Sequence, residues 1–355
     1  MSAGKRPGMP SFPAGSPMGA GEHPELQTAL GPGREFDLIR NFLRRSAHPR
    51  PAGETLGPGD DCAVVIGERI ALSCDMSVEG VHFRREWLSA EEIGWRATSA
   101  ALSDLAAVAA RPIGVLVSCA LPDGDAGDFA VRLMTGVRAA VEAVGGGVLG
   151  GDLTRSPGPL VLDITVIGEP RSPILRSGAR SGDEVWVTGA LGGSAYAVAT
   201  LIENRRPPPE ARTRFARPTP RIREALWLLD RVALTSLIDI SDGLAGDAGH
   251  VAAASGVAVV LHRSAIPVDQ CLPSDSVSPE DRLRYAMAGG EDYELCLFAT
   301  AGAVEAVRGA FEAEFGISLT CVGRVEPGRG VFWGDREGGR SPLDLSGFQH
   351  FRETH

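Results

Sequence analysis

Short acidic clusters beside glycine or serine, each at the end of an apolar run, constrain this chain more than any other feature. The first two are Gly57-Pro58-Gly59-Asp60-Asp61-Cys62 and Ser73-Cys74-Asp75-Met76-Ser77-Val78-Glu79-Gly80-Val81-His82-Phe83. Apolar runs at 62–66 and 70–72 predict strand, turn and strand. That reading carries Asp60, Asp61 and Asp75 to strand ends, beside a Gly-flanked loop ending in His82. The arrangement recurs at Gly150-Gly151-Asp152, at Asp239-Ile240-Ser241-Asp242-Gly243 and at Gly289-Gly290-Glu291-Asp292. Carboxylates gathered without cations repel one another, so hard divalent cations are their natural partners. Taken singly, each cluster also reads as a turn or a solvated strand end. The recurrence favours a shared site.

Composition removes several chemistries. Lys5 is the only lysine, and it sits in a Gly-, Pro- and Ser-rich stretch. A P-loop, a protein-kinase fold and Schiff-base chemistry each need a well-placed lysine, so phosphate handling falls to metals, arginines, backbone amides and helix N-termini. A formal net charge of -10 argues against a nucleic-acid partner. No apolar run is long enough to span a bilayer, since the Ala-rich stretch 97–121 is interrupted by Asp104 and Arg111. The cysteines show no Cys-x-x-Cys pairing and lie mostly in apolar runs, as expected of buried, reduced thiols in a cytoplasmic protein. A length of 355 residues at 43% hydrophobic content predicts two domains.

Residues 1–33 read as a disordered extension and 35–45 as a first amphipathic helix. Ser89-Ala90-Glu91-Glu92 is a capping-box pattern opening a helix to about residue 110. Ile93, Ala97, Ala101, Asp104 and Val108 share one face of it, so Asp104 interrupts an apolar stripe. A buried acid there is either metal-bound or satisfied by a structural partner. A buried strand at 113–121, a helix at 128–144, a short strand ending in Gly-Gly-Asp at 152 and a strand at 160–169 follow. Beyond these, a strand at 183–189, helices at 194–203 and 222–229, a strand at 236–240 and a helix at 245–254 are expected, with 206–220 as a surface loop. Strand alternation puts Asp239 and Ser241 on one side, with Asp242 at the helix start as metal ligand or as N-cap. A strand at 295–299, a helix at 304–315 and strands at 318–324 and 331–333 complete an α/β (α+β) sandwich.

In order along the chain, Gly59-Asp60-Asp61-Cys62-Ala63, Asp75 with Glu79-Gly80-Val81-His82-Phe83, Leu102-Ser103-Asp104-Leu105-Ala106, Gly150-Gly151-Asp152, Arg176-Ser177-Gly178-Ala179, Asp239-Ile240-Ser241-Asp242-Gly243-Leu244 and Gly289-Gly290-Glu291-Asp292-Tyr293-Glu294-Leu295 resemble the thiamine-monophosphate kinase family. The resemblance covers about residues 34–351. It implies the two-domain fold of aminoimidazole ribonucleotide synthetase and its relatives. In that fold an N-terminal α/β domain (34–170) dimerises through its sheet, and a C-terminal α/β domain (171–355) follows. ATP and several magnesium ions are then expected between them, with thiamine monophosphate as acceptor. The resemblance also implies Asp61, Ser73, Cys74, Asp75, Asp104, Asp152, Asp239 and Asp242 as metal ligands. It implies Gly151, Asp152, Arg176 and Ser241 as ATP contacts, His82, Glu291 and Phe348 as thiamine-phosphate contacts, and Asp75, Asp152 and Arg176 as the residues carrying the transfer.

Three positions depart from the family pattern. Cys74 replaces a threonine, and a thiol is a poor magnesium ligand, so coordination there falls to its backbone carbonyl. Ala101 replaces an asparagine, and Phe348 stands where Trp or Tyr is expected, keeping the ring and losing a polar handle. Sibling enzymes fit less well. Selenophosphate synthetase calls for a reactive cysteine with a lysine, and the hydrogenase-maturation protein for a C-terminal cysteine, whereas this chain ends in His355. Aminoimidazole ribonucleotide synthetase lacks the Gly-Gly-Glu-Asp-Tyr-Glu-Leu pattern. A nucleotide-holding module without turnover is the alternative from another class.

Overall fold

The computed structural model describes residues 54–56, 63–65, 69–125, 127–335, 339–345 and 347; the expected extension 1–33, the helix 35–45, Asp61 and Phe348 lie outside them. The N-terminal half runs β1 (Glu54–Leu56), β2 (Ala63–Val65), β3 (Ile70–Val78), α1 (Ala90–Ala107), β4 (Ala110–Pro122), α2 (Asp128–Ala143), β5 (Gly147–Ser156) and β6 (Val161–Pro170). Its strands form one sheet in the order β1-β2-β3-β6-β4-β5, parallel only between β4 and β5. β6 alternates strictly, and its fully buried Leu162, Ile164 and Val166 join Ile93, Leu102 and Leu105 of α1 in one core. α1 begins as the capping box predicts: Ser89 Oγ accepts the Glu92 N–H, and the Glu92 carboxylate accepts the Ser89 N–H.

The C-terminal half runs β7 (Asp183–Thr188), α3 (Gly193–Ile202), α4 (Pro209–Ala216), α5 (Ile222–Leu229), β8 (Leu234–Ile240), α6 (Leu244–Ser255), β9 (Ala258–Leu261), α7 (Pro279–Ala288), β10 (Glu294–Thr300), α8 (Glu305–Phe315), β11 (Leu319–Glu326), β12 (Gly330–Gly334) and β13 (Arg340–Pro342). Its sheet has the order β13-β12-β9-β11-β7-β10-β8. At the start of β10 Arg221 donates to both oxygens of Glu294, at 2.8 and 2.5 Å, and to Glu224 at 3.3 Å. Thr188 Oγ1 donates to the same Glu294 carboxylate at 2.7 Å. These groups are buried, so each charge depends on the other.

Four expectations need correction. The stretch 206–220 is not simply a surface loop: α4 lies within it, started by Pro209 and burying Ala211, Phe215 and Ala216. The strand expected at 113–121 is buried on one face only, because Ile113 and Leu116 are exposed while Val115, Val117 and Cys119 are not. β5 continues past Asp152 to Ser156, so Asp152 is not at a strand end. Cys74 is exposed rather than buried. The halves meet through α1. Arg212 of α4 donates to both oxygens of Glu92 at 2.8 Å, and the Trp95 indole donates to the Pro218 carbonyl at 2.9 Å.

Candidate active site

A cleft of ≈ 840 Å³ opens between the halves, walled by β3, α1 and α3 and by the loops after β8 and before β10. On β3, Ser73 and Asp75 turn toward α1 while Cys74 and Met76 point to the outer face, as strand alternation requires. Ser73 Oγ donates to Asp104 Oδ2 at 2.6 Å, which ties strand to helix where Asp104 breaks the apolar stripe. Ile93, Ala97, Ala101 and Val108 of that stripe are buried as expected.

The opposite wall is built by two loops zipped together. Glu291 N–H donates to the Ser241 carbonyl and Tyr293 N–H to the Ile240 carbonyl, both at 2.8 Å. A Cβ on Gly290 would lie 2.4 Å from the Ser241 oxygen, so only glycine permits this approach. The contact carries Asp239, Ser241 and Asp242 into the cleft. Asp242 is not a helix cap: the N-cap of α6 is Gly243, with no side-chain bond, and the Asp242 N–H instead donates to Asp247 Oδ2 at 3.1 Å.

Two neighbouring groups register the acid there. Burial, then the charges of Asp242 and Asp239, hold the Asp247 carboxyl well above the ordinary range, against Arg176. Cys74 is exposed, yet partial desolvation of its thiol by its neighbours, then Asp163, Asp75 and Asp104, pushes it up. A negative field walled by oxygen ligands fits a hard divalent cation. Asp242, Asp247 and His250 also lie close enough together to share one ion.

Not every expected residue joins this wall. Asp75, Asp104, Asp239, Ser241, Asp242, His82 and Glu291 line the cleft; Gly151, Asp152 and Arg176 do not. Asp152 is exposed on β5, opposite Ser118, and three strand steps of ~4.8 Å separate β5 from β3. Within one chain that is too far for Asp75 and Asp152 to share an ion. Arg176 stands behind the acids, in a 3-10 turn whose carbonyl accepts Ser255 Oγ at 2.8 Å, and its charge acts on Asp247.

The far end of the cleft is apolar, lined by Phe83, Trp87, Val198, Ile202 and Tyr285. There the Val78 N–H donates to His82 Nδ1 at 3.0 Å, so the neutral ring carries its proton on Nε2. The acids of the Glu-Asp-Tyr-Glu stretch have separate duties. Glu291 faces the cleft, paired with Arg96 of α1. Asp292 accepts the Gly192 N–H at 2.7 Å and so closes the start of α3, with burial pushing its carboxyl well up. Glu294 anchors Arg221. Arg96 is the cleft residue that sequence reasoning missed. It shares a helix face with Asp104, eight positions on, and that spacing was its one signal.

Comparison with known proteins agrees with this architecture. Residues 59–169 match the AIR synthase related protein N-terminal domain, and residues 180–334 match the corresponding C-terminal domain. The chain is 34% identical over 329 residues to thiamine-monophosphate kinase of Escherichia coli K12, spanning 89% of this chain and 98% of the relative. It is similar to the crystal structure of thiamine-monophosphate kinase from Stenotrophomonas maltophilia K279a, with 31% identity, a TM-score of 0.70, and coverage of 87% and 98% of the two chains. It is likewise similar to the structure of AaThiL complexed with AMPPCP and TMP, with 30% identity, a TM-score of 0.74, and coverage of 90% and 97%.

Proposed function

Because this chain belongs to the thiamine-monophosphate kinase family, we infer that its cleft carries the γ-phosphoryl group of ATP onto thiamine monophosphate, yielding thiamine diphosphate in the last step of its biosynthesis. One observation carries the reading at the level of residues: acids from the two halves face each other across one cleft, which His82 and Glu291 share with the apolar side chains of Phe83, Trp87 and Tyr285, suited to the rings of a vitamin. Magnesium held by Asp75, Asp104, Asp239 and Asp242, with Asp61 as a further ligand, would neutralise the phosphate oxygens of both substrates, while Asp152, out of reach of Asp75 within one chain, would hold a separate ion. Ser73 orients Asp104, and Cys74 has only its backbone to offer. Ser241, Gly151 and Arg176 are the proposed ATP contacts, and Phe348 a further contact to thiamine phosphate.

The acceptor is a phosphate monoester, whose second pKa lies near ~6 by analogy with phosphorylated side chains. It is an anion at neutral pH and needs no general base. What remains for the protein is to hold two mutually repelling phosphates in line. His82 is suited to this, because with Nδ1 accepting the Val78 N–H, Nε2 is a donor and not a proton acceptor. His82→Asn should therefore raise KM for thiamine monophosphate more than it lowers kcat, and activity should keep an acidic limb near pH ~6 that belongs to the substrate. Loss of that limb together with collapse of kcat at saturating substrate would make His82 a base.

A coupled ADP-release assay across thiamine, thiamine monophosphate, formylglycinamidine ribonucleotide and selenide tests the substrate. Turnover with thiamine monophosphate alone is expected, and turnover with another acceptor, or none, contradicts the reading. We further propose that the boundary between two domains falls near residue 170, that the enzyme is cytoplasmic, and that it is a homodimer joined through the N-terminal sheet. The outer face of that sheet exposes Met76, Ile113, Leu116 and Leu149. Sedimentation should give a dimer at micromolar concentration, and a fully active monomer would refute that assembly. Among the described residues, no helix is long and apolar enough to cross a membrane.

A further inference from the structure

We propose that Arg96 is a positioning residue that fixes the organic end of the cleft by holding Glu291, a role that rests on the kinase reading above. Arg96, Ala100 and Asp104 line the cleft at successive four-residue steps of α1. At ~1.5 Å per residue, one helix face thus sets a cation about 12 Å along the axis from Asp104, with a small side chain between them. The cation is committed. Arg96 is 4% exposed, its Nη2 pairs with Glu291 Oε1, and its guanidinium lies 4.7 Å from the centre of the Phe215 ring. Its charge also acts on the Tyr293 side chain, whose hydroxyl burial pushes far up.

Glu291 needs such a hold. Its φ of 74° and that of Tyr293, 51°, are left-handed values that non-glycine residues rarely adopt. The backbone of this loop is anchored on the β8 turn, through Ser241 and Ile240, whereas the Glu291 side chain is anchored on α1 in the other half. Without Arg96 the carboxylate, already 28% exposed, would turn to water and leave the substrate end. A planar guanidinium can stack on Phe215 and reach Glu291 and Tyr293 together; a lysine ammonium cannot do all three. Arg96 therefore acts on substrate through Glu291 rather than by touching it.

The test measures steady-state constants for both substrates in Arg96→Met, Arg96→Lys, Glu291→Gln and the double variant Arg96→Met/Glu291→Gln. Arg96→Met should raise KM for thiamine monophosphate by about tenfold or more while KM for ATP stays within about twofold, with Arg96→Lys intermediate. The double variant should be no worse than Glu291→Gln, because both remove one device. Additive losses, or equal rises in both KM values, overturn the role. If Arg96→Met does not fold, Arg96→Lys decides: a selective rise in KM for thiamine monophosphate supports the role and unchanged constants refute it. A wild-type chain whose ADP release ignores thiamine monophosphate refutes the kinase reading itself, and this role with it; the variants bear on Arg96 alone.

Discussion

Asp75→Asn should lower kcat by about 10³-fold or more at saturating magnesium, a barrier increase of roughly 4 kcal/mol, while the protein melts close to the wild-type temperature. Asparagine keeps the size of aspartate and removes its charge. Asp75 sits on the inner face of β3, one strand step from Ser73, which donates to Asp104 at 2.6 Å. Across the cleft stand Asp239 and Asp242. ATP and a phosphate monoester add several negative charges to this wall, and only cations bridging carboxylate to phosphate make the assembly favourable. In the proposed site, losing one shared ligand would weaken the grip on ions that matter most during transfer. The measurement is ADP release against magnesium concentration, beside thermal melting. Near-normal turnover at saturating magnesium would take Asp75 out of the ligand set.

Arg221→Met should destabilise the fold by about 3–5 kcal/mol, because it leaves the Glu294 carboxylate buried without its cation. Glu294 is 1% exposed and accepts two bonds from Arg221 and one from Thr188. It also lies on the strand that follows the Glu291 loop, so its displacement would reach the cleft. Urea denaturation at neutral pH reads the loss directly. Adding Glu294→Gln to Arg221→Met should recover part of it, since a neutral amide is cheaper to bury than a stranded charge. A loss under about 1 kcal/mol would mean that water reaches Glu294 and the pair is not a buried one.

Where sequence patterns are strong, the fold follows them. The capping box at Ser89 opens α1 where expected, and Asp104 in an apolar stripe does find a polar partner, Ser73. The strand-turn-helix at Asp239–Leu244 is likewise legible, because β-branched residues give way abruptly to Ser-Asp-Gly. Short elements are not legible in this way. α4 has eight residues, half of them polar, and its Phe215 has meaning only once α1 lies against it. β9 is four residues long, and α7 opens on a run of charged residues, Glu280-Asp281-Arg282, that hides its apolar spacing. Adjacent acids are the hardest case. Nothing in Glu291-Asp292-Tyr293-Glu294 says that one carboxylate faces the cleft, one closes a helix and one neutralises a buried arginine, because left-handed backbone at Glu291 and Tyr293 breaks simple alternation. Arg96 escapes for a related reason: α1 reads by its apolar stripe, and a lone arginine at the margin of that stripe looks solvated.

The common face of Arg96 and Asp104 has a consequence for how this chain can change length. With about 3.6 residues per turn, inserting or deleting one residue between them rotates one end of α1 by about 100° relative to the other. Either the carboxylate of Asp104 or the guanidinium beside Glu291 would then swing out of the cleft, whatever the new residue. Loops elsewhere on the surface can grow or shrink at little cost. The eight-residue interval from Arg96 to Asp104 cannot, and composition there is freer than count.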